Sequence, residues 1–238
     1  MYKKEINTFI RLLTVGFILP VFFLSCSKEK HEDAPKYTVI DKGLYGENSD
    51  VDEFNPLNGH DAVDLGLSVD WASNNLGANV PEDYGNYYAW GETETKTEFS
   101  WSTYSLWKSD NKKYDGEDNL IILEDEDDAA YVQWGGFWRM PTSEEWQELI
   151  DNCAWEDSEL NGVSGILISA TNGNSIFLPK AGHKYEGGSY YRRGHVCDYW
   201  ASTLDESSPK KGCAIRDNTI RSDWRYNGFA IRAVLDLF

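Results

Sequence analysis

From His60 onward, apolar and polar positions fall into short regular runs. Val63, Leu65, Leu67, Val69 and Trp71 alternate with polar or small residues, which predicts a strand with one buried face. Pro81-Glu82-Asp83-Tyr84-Gly85 suits a short helical turn, and residues 87–90 read as an aromatic strand. A helix is expected over 126–134 with Ala129, Ala130 and Val132 turned inward, stopped by Gly135-Gly136. Thr142 and Glu145 have capping-box spacing, so each side chain can satisfy the other's free backbone N–H. Trp146, Leu149 and Ile150 then share one face of that second helix. Beyond Asn161 the chain reads as β-structure. Ile166-Leu167-Ile168 and Ile176-Phe177-Leu178 flank Asn172-Gly173, the signature of a hairpin with a tight primed turn. Further strands are expected around 199–203, 212–215 and 229–234. Two or three short helices followed by many strands indicate an α+β domain. No repeat of 20–50 residues is visible.

The first sixty residues follow a different pattern. Lys3, Lys4 and Arg11 precede an apolar run over 12–24 that reaches only about 20 Å as a helix, short of the ~30 Å hydrocarbon core. This is the layout of a secretory signal. Phe23-Leu24-Ser25-Cys26 at its end resembles a bacterial lipobox, which implies that Cys26 is the lipidated first residue of the mature protein. The expected organisation is a signal peptide over 1–25, a polar acidic tether over 26–59 and a folded domain over 60–238.

The 238 residues include 22 Lys and Arg against 40 Asp and Glu, a net charge of −18. Such a chain repels phosphate backbones, so nucleic acid is excluded as a partner, and the membrane is met through the lipid anchor alone. Ten Trp, fourteen Tyr and ten Phe are enough to fill a core and still leave aromatics for a surface.

Several segments together resemble one family. They are Val63-Asp64-Leu65-Gly66-Leu67-Ser68-Val69, Trp71-Ala72, Tyr84-Gly85 and Ala89-Trp90-Gly91-Glu92-Thr93. Glu126-Asp127-Asp128-Ala129-Ala130, Trp134-Gly135-Gly136, Trp138-Arg139-Met140-Pro141-Thr142 and Glu145-Trp146 continue the series. Gly173-Asn174-Ser175-Ile176-Phe177-Leu178-Pro179, Tyr199-Trp200 and Gly228-Phe229-Ala230-Ile231-Arg232 close it. In this order they resemble the Fibrobacter succinogenes major paralogous domain family of exported bacterial proteins. That family is similar to the formylglycine-generating, sulfatase-modifying branch of the C-type lectin-like fold. The resemblance implies an α+β, C-type lectin-like fold with two or three short helices, several short antiparallel strands and long loops. It also implies neighbouring chain ends and a ligand surface on loops late in the chain.

Enzymes of that branch use paired cysteines with copper, or a histidine-based iron site. Here Cys153, Cys197 and Cys213 are far apart, and His60, His183 and His195 lack ligand spacing. No catalytic residue, metal or cofactor is therefore expected. In an oxidising compartment Cys197 and Cys213 could form a disulfide. The run from Glu124 to Asp128 offers carboxylates, but it lacks the turn residues that space calcium ligands and reads as a solvated helix start.

The segment from 189 to 227 concentrates arginine and aromatics within this acidic chain, the pairing that binding hot spots favour. The candidate contacts are His195, Asp198, Arg216, Asp217, Arg221, Asp223 and Arg225, with Tyr190 and Tyr191 for stacking. Trp200 is expected in the core. Domains of this fold also serve as targets of diversity-generating retroelements, which randomise codons derived from Asn. On that comparison Trp200, Lys210, Lys211 and Trp224 would be invariant scaffold. The expectation is a lipid-anchored protein of the Gram-negative outer membrane, not an enzyme but a surface-exposed binder of an extracellular protein or glycan. The alternatives are a structural or adhesin component with a fixed partner, and an unrecognised enzyme of the formylglycine-generating type.

Overall fold

The computed structural model describes residues 57–109 and 111–236, with Asn111 described by its backbone alone. The signal peptide, Cys26 and the tether up to residue 56 lie outside the described residues. Packing is already under way at Leu57, whose carbonyl accepts the Trp138 indole N–H at 2.8 Å.

The domain is α+β and rich in antiparallel sheet. One sheet holds β1 (Ala62–Val63), β2 (Val69–Ala72), β16 (Val234–Asp236) and β6 (Trp138–Arg139) in that order. The strand expected through Val63 and Trp71 is thus a hairpin, with Val63 opposite Trp71. Gly66 reverses the chain at φ +71°, and its N–H donates to Asp64 Oδ1 at 2.6 Å. The alternation survives because both arms keep the same phase.

A second sheet orders β11 (Ser189–Tyr191), β10 (His183–Tyr185), β15 (Gly228–Phe229) and β3 (Tyr88–Ala89). A third is β12 (Asp198–Leu204), β13 (Lys211–Arg216) and β14 (Thr219–Trp224). The fourth contains β7 (Ala154–Leu160), β8 (Val163–Ser169) and β9 (Ser175–Pro179), and β4 (Trp107–Lys108) pairs with β5 (Asn111–Lys112). The expected strand over 229–234 is split between β15 and β16.

Turn chemistry differs from expectation in the fourth sheet. Between β8 and β9, Gly173 alone takes positive φ, and its N–H donates to the Ala170 carbonyl. That is a three-residue loop closed by a bulge-type glycine, not a two-residue primed turn. The primed turn joins β7 to β8: Leu160 pairs with Val163, and both Asn161 (φ +49°) and Gly162 (φ +84°) are left-handed.

The first helix, α1 (Ala129–Trp134), follows a single 3-10 turn, and Asp128 caps it by accepting the N–H groups of Ala130 and Tyr131. Ala129 and Ala130 are buried as expected, whereas Val132 is exposed because six residues make under two turns of packed face. The second helix, α2 (Ser143–Asn152), carries the complete Thr142–Glu145 capping box and buries Trp146 and Leu149. Residues 81–85 form a turn and extended chain instead of a helical turn.

Trp71, Trp90, Trp138, Trp146 and Trp200 are all fully buried. All but Trp71, whose Nε1 is buried without a partner among the described residues, place the indole N–H on a carbonyl of another segment. Trp200 donates to the Tyr88 carbonyl and Trp90 to the Ala201 carbonyl, each at 2.8 Å. Trp146 donates to the Trp200 carbonyl at 3.2 Å. A buried indole costs least where its N–H finds an acceptor, as in these three. Gly212 is required here: a Cβ on it would lie 2.4 Å from the Trp90 ring.

Candidate functional site

The late-chain residues separate into an interior group, an exposed face and a cleft. Asp198 belongs to the interior. It opens β12 within the run Val196-Cys197-Asp198-Tyr199-Trp200, where every residue is buried. One carboxylate oxygen accepts Arg216 Nε at 2.6 Å, and the other is 2.8 Å from His183 Nδ1 and 3.1 Å from an Arg216 terminal nitrogen. Burial pushes the Asp198 carboxyl up, but hydrogen bonds from His183 and Arg216 outweigh it and hold the acid below its ordinary range. Asp198 is therefore an anchor for neighbouring side chains and not the surface contact expected of it. The His183 ring stacks on Phe229 with centroids 4.7 Å apart, which fixes β10 against β15.

Arg225, expected as a contact, is also fully buried. Its Nε donates to the Tyr104 hydroxyl at 2.7 Å, and its terminal nitrogens donate to the carbonyls of Lys113, Tyr114 and Pro209 at 3.1 Å. The guanidinium also lies 4.8 Å from the Trp90 ring centroid and 5.1 Å from that of Tyr104. Residue type suggested a surface cation. The aromatic content of the surrounding segments was the signal that it had a cage.

Arg216, Arg221 and Asp223 share one face of β13–β14. The register pairs Ala214 with Arg221, Gly212 with Asp223 and Arg216 with Thr219, and alternate residues of a strand point the same way. Arg221 makes no hydrogen bond or ion pair with other described residues, and its Nε is buried without a partner. Asp223 is partly engaged, accepting the Asn227 side-chain amide at 2.8 Å. Trp224, expected as scaffold, ends 40% exposed beside Trp101 and Tyr226.

Neighbouring strands contribute the aromatics. Tyr185, Tyr190 and Tyr191 are 42%, 47% and 44% exposed, so nearly half of each ring is open to solvent. Arg193 lies between Tyr84 and Tyr190, 4.2 Å and 4.4 Å from their ring centroids. Lys184 approaches Tyr190 on another side at 5.0 Å. Tyr190 meets Tyr87 edge-on at 5.4 Å. Lys184 and Tyr190 share one face of β10–β11, and Tyr185, Tyr191 and His183 share the other; Tyr185 and Lys184 were not singled out in the sequence. Gly187-Gly188, the turn of a hairpin flanked by aromatic residues, was the missed signal.

His195 and Asp217 instead line a cleft of about 370 Å³ with Trp155, Asp157, Lys180 and Asn218. The cleft joins the β7–β8 region to the turn between β13 and β14.

Cys153, Cys197 and Cys213 are free thiols. Asp217, not Cys213, lies across from Cys197: the Asp217 N–H donates to the Cys197 carbonyl. Cys213 is four residues further along β13, about 13 Å at strand rise, too far for the expected disulfide. Burial raises the Cys197 thiol well above its ordinary value, and raises Cys213 to about 11. Few thiolates are present at neutral pH as a result. Three carboxylates of the acidic run converge on one lysine of this chain. Lys113 Nζ contacts Glu124 at 2.6 Å, Glu126 at 3.1 Å and Asp127 at 2.5 Å, taking the position a cation would need.

No protein-family model, curated protein or solved structure matches the chain.

Proposed function

We propose that this protein is a lipid-anchored binding protein whose late-chain tyrosine and arginine face engages an extracellular protein or glycan. The observation that carries the reading is a set of half-exposed tyrosines on the two sides of β10–β11, Tyr190 beside Arg193 on one and Tyr185 with Tyr191 beside His183 on the other, together with Arg221, which makes no ion pair among the described residues. In a chain of net charge −18, guanidinium groups without a carboxylate are a scarce resource. Rigid aromatic area with forked donors is what binding faces are built from. The Asp198 anchor holds Arg216 in place before any ligand arrives, lowering the ordering cost of binding.

A C-type lectin-like fold of the Fibrobacter succinogenes major paralogous type is our reading of the architecture. Its support is the sheet-rich α+β build and the pairing of β2 with β16, which joins the two ends of the domain. Binding is favoured over catalysis by the separated, protonated thiols. Attachment through Cys26 follows from the lipobox-like sequence. Replacing Cys26 by Ser should move the protein from the membrane to the soluble fraction, and unchanged membrane association would remove the anchor.

The test of the face is binding of the purified chain to protein and glycan arrays, beside a Tyr190→Ala/Tyr191→Ala variant. Binding should fall at least roughly tenfold, about 1.4 kcal/mol. A folded double variant with full binding would sink this face. Sequencing codons 189–228 across sister clones then separates a diversified receptor from an adhesin with one fixed partner.

A further inference from the structure

The cleft between the β7–β8 region and the β13–β14 turn is a second concave feature, and its walls are held in place from behind. Asp217 occupies the left-handed region at φ +52°, which Asp tolerates better than most residues. Its backbone N–H donates to the Cys197 carbonyl at 2.8 Å, while its Oδ1 accepts the Cys197 N–H at 3.0 Å. This two-way clamp fixes the carboxylate and leaves its second oxygen without a hydrogen-bond partner. Lys180 directly follows β9; its backbone N–H donates to the Ser164 carbonyl, its carbonyl accepts from the Gly194 N–H, and its ammonium pairs with Asp157. Trp155 is oriented by an indole N–H bond to the Leu149 carbonyl at 3.3 Å. The His195 ring makes no hydrogen bond to other described residues. A first shell pinned in this way is what a small-ligand site requires.

The lining selects a chemical class. At about 370 Å³ the cleft sits at the small end of ligand pockets, which span roughly 300–1,000 Å³. It has room for one or two sugar residues but not for a peptide with its own fold. An apolar ligand would strand Lys180, Asp157, Asp217 and Asn218. An anionic ligand would face two carboxylates against one ammonium. A neutral ring bearing several hydroxyls can donate to Asp217 and Asp157, accept from Lys180 and Asn218, and lay its C–H surface on Trp155. We propose that this cleft is a subsite for a neutral sugar residue, contacted by Trp155, Lys180, His195 and Asp217. The proposal deepens the binding function above by committing to glycan, but it uses none of the tyrosine face.

Saturation-transfer difference NMR on the full folded chain, with glucose, galactose, mannose, fucose and N-acetylglucosamine and their disaccharides, tests it. Transfer is expected from at least one neutral sugar, weakened about tenfold by Asp217→Asn and by His195→Ala. Asp217→Asn keeps the oxygen that accepts the Cys197 N–H, and His195 is exposed, so both variants should fold; Trp155→Ala is read only after its melting curve matches. Tyr190→Ala/Tyr191→Ala should leave sugar transfer within about twofold. No transfer from any sugar on the panel overturns the proposal, as does transfer confined to charged sugars added as a control. So does transfer that Asp217→Asn, His195→Ala and Trp155→Ala all leave unchanged. If the tyrosine variant alone removes it, the sugar belongs to the tyrosine face and the proposed function stands without this subsite. A protein-array signal that the tyrosine variant does not weaken counts against the face alone.

Discussion

The core beneath β16 and the start of β12 both hold a guanidinium, by opposite means. Arg232 is fully buried with no carboxylate: it donates to Asn75 Oδ1 and to the carbonyls of Ala72, Ser73 and Phe177 at 2.8–3.0 Å. Burial pushes it down to about 10, so the charge persists at neutral pH. The Arg216 side chain is 19% exposed and is held by the buried Asp198 carboxylate. The neutral cradle gathers three chain segments around one cation, so its role is to fix the core. The ion pair compensates charge and fixes a side chain at the surface, so its role is to prepare a face. The first is insensitive to acid, whereas the second depends on the ionisation of Asp198.

The largest effect should come from the cradle. Arg232→Met leaves a buried side-chain oxygen and three carbonyls without their donor, and should cost about 3–5 kcal/mol by urea denaturation. A loss below about 1 kcal/mol would mean the cradle is not a structural centre. Asp198→Asn should cost about 1.5–3 kcal/mol at neutral pH. The Asp198 carboxyl is held below its ordinary value in the fold, so its contribution is complete above about pH 3.9 and is lost as pH falls through the lower folded value. Wild-type and Asp198→Asn stabilities should converge on acidification, and parallel curves would separate the cluster from the pH response. Arg193→Ala should be mildest, about 0.5–1 kcal/mol, because its cation–π contacts are exposed. A larger loss would place Arg193 with the interior arginines instead of the binding face.

Legibility followed how local the determining interaction was. The α2 capping box and the β8–β9 hairpin depend on neighbours a few residues apart, and both could be read from the chain. The strand β7 could not, since Ala154-Trp155-Glu156-Asp157-Ser158-Glu159-Leu160 is largely polar and stays mostly exposed at a sheet edge. Its signal was Asn161-Gly162, whose positive φ angles demand a hairpin. Asp198 and Arg225 read as surface because charged types usually are. Asp198 interrupts a continuous apolar run, the pattern of a strand buried on both faces. A lone charge in such a run is an interior anchor. The cleft joins residues 155, 180, 195 and 217, and no local pattern connects them.

The position of β16 between β2 and β6 also sets the order in which the domain can close. A central strand drawn from residues 234–236 means that β6 has no strand partner, and β2 only β1, until residues more than ninety positions later arrive. Trp71 and Trp138 therefore complete their burial only when that strand is in place. Contacts of this sequence separation make closure slow and nearly all-or-none, and a chain that cannot close early stays threadable.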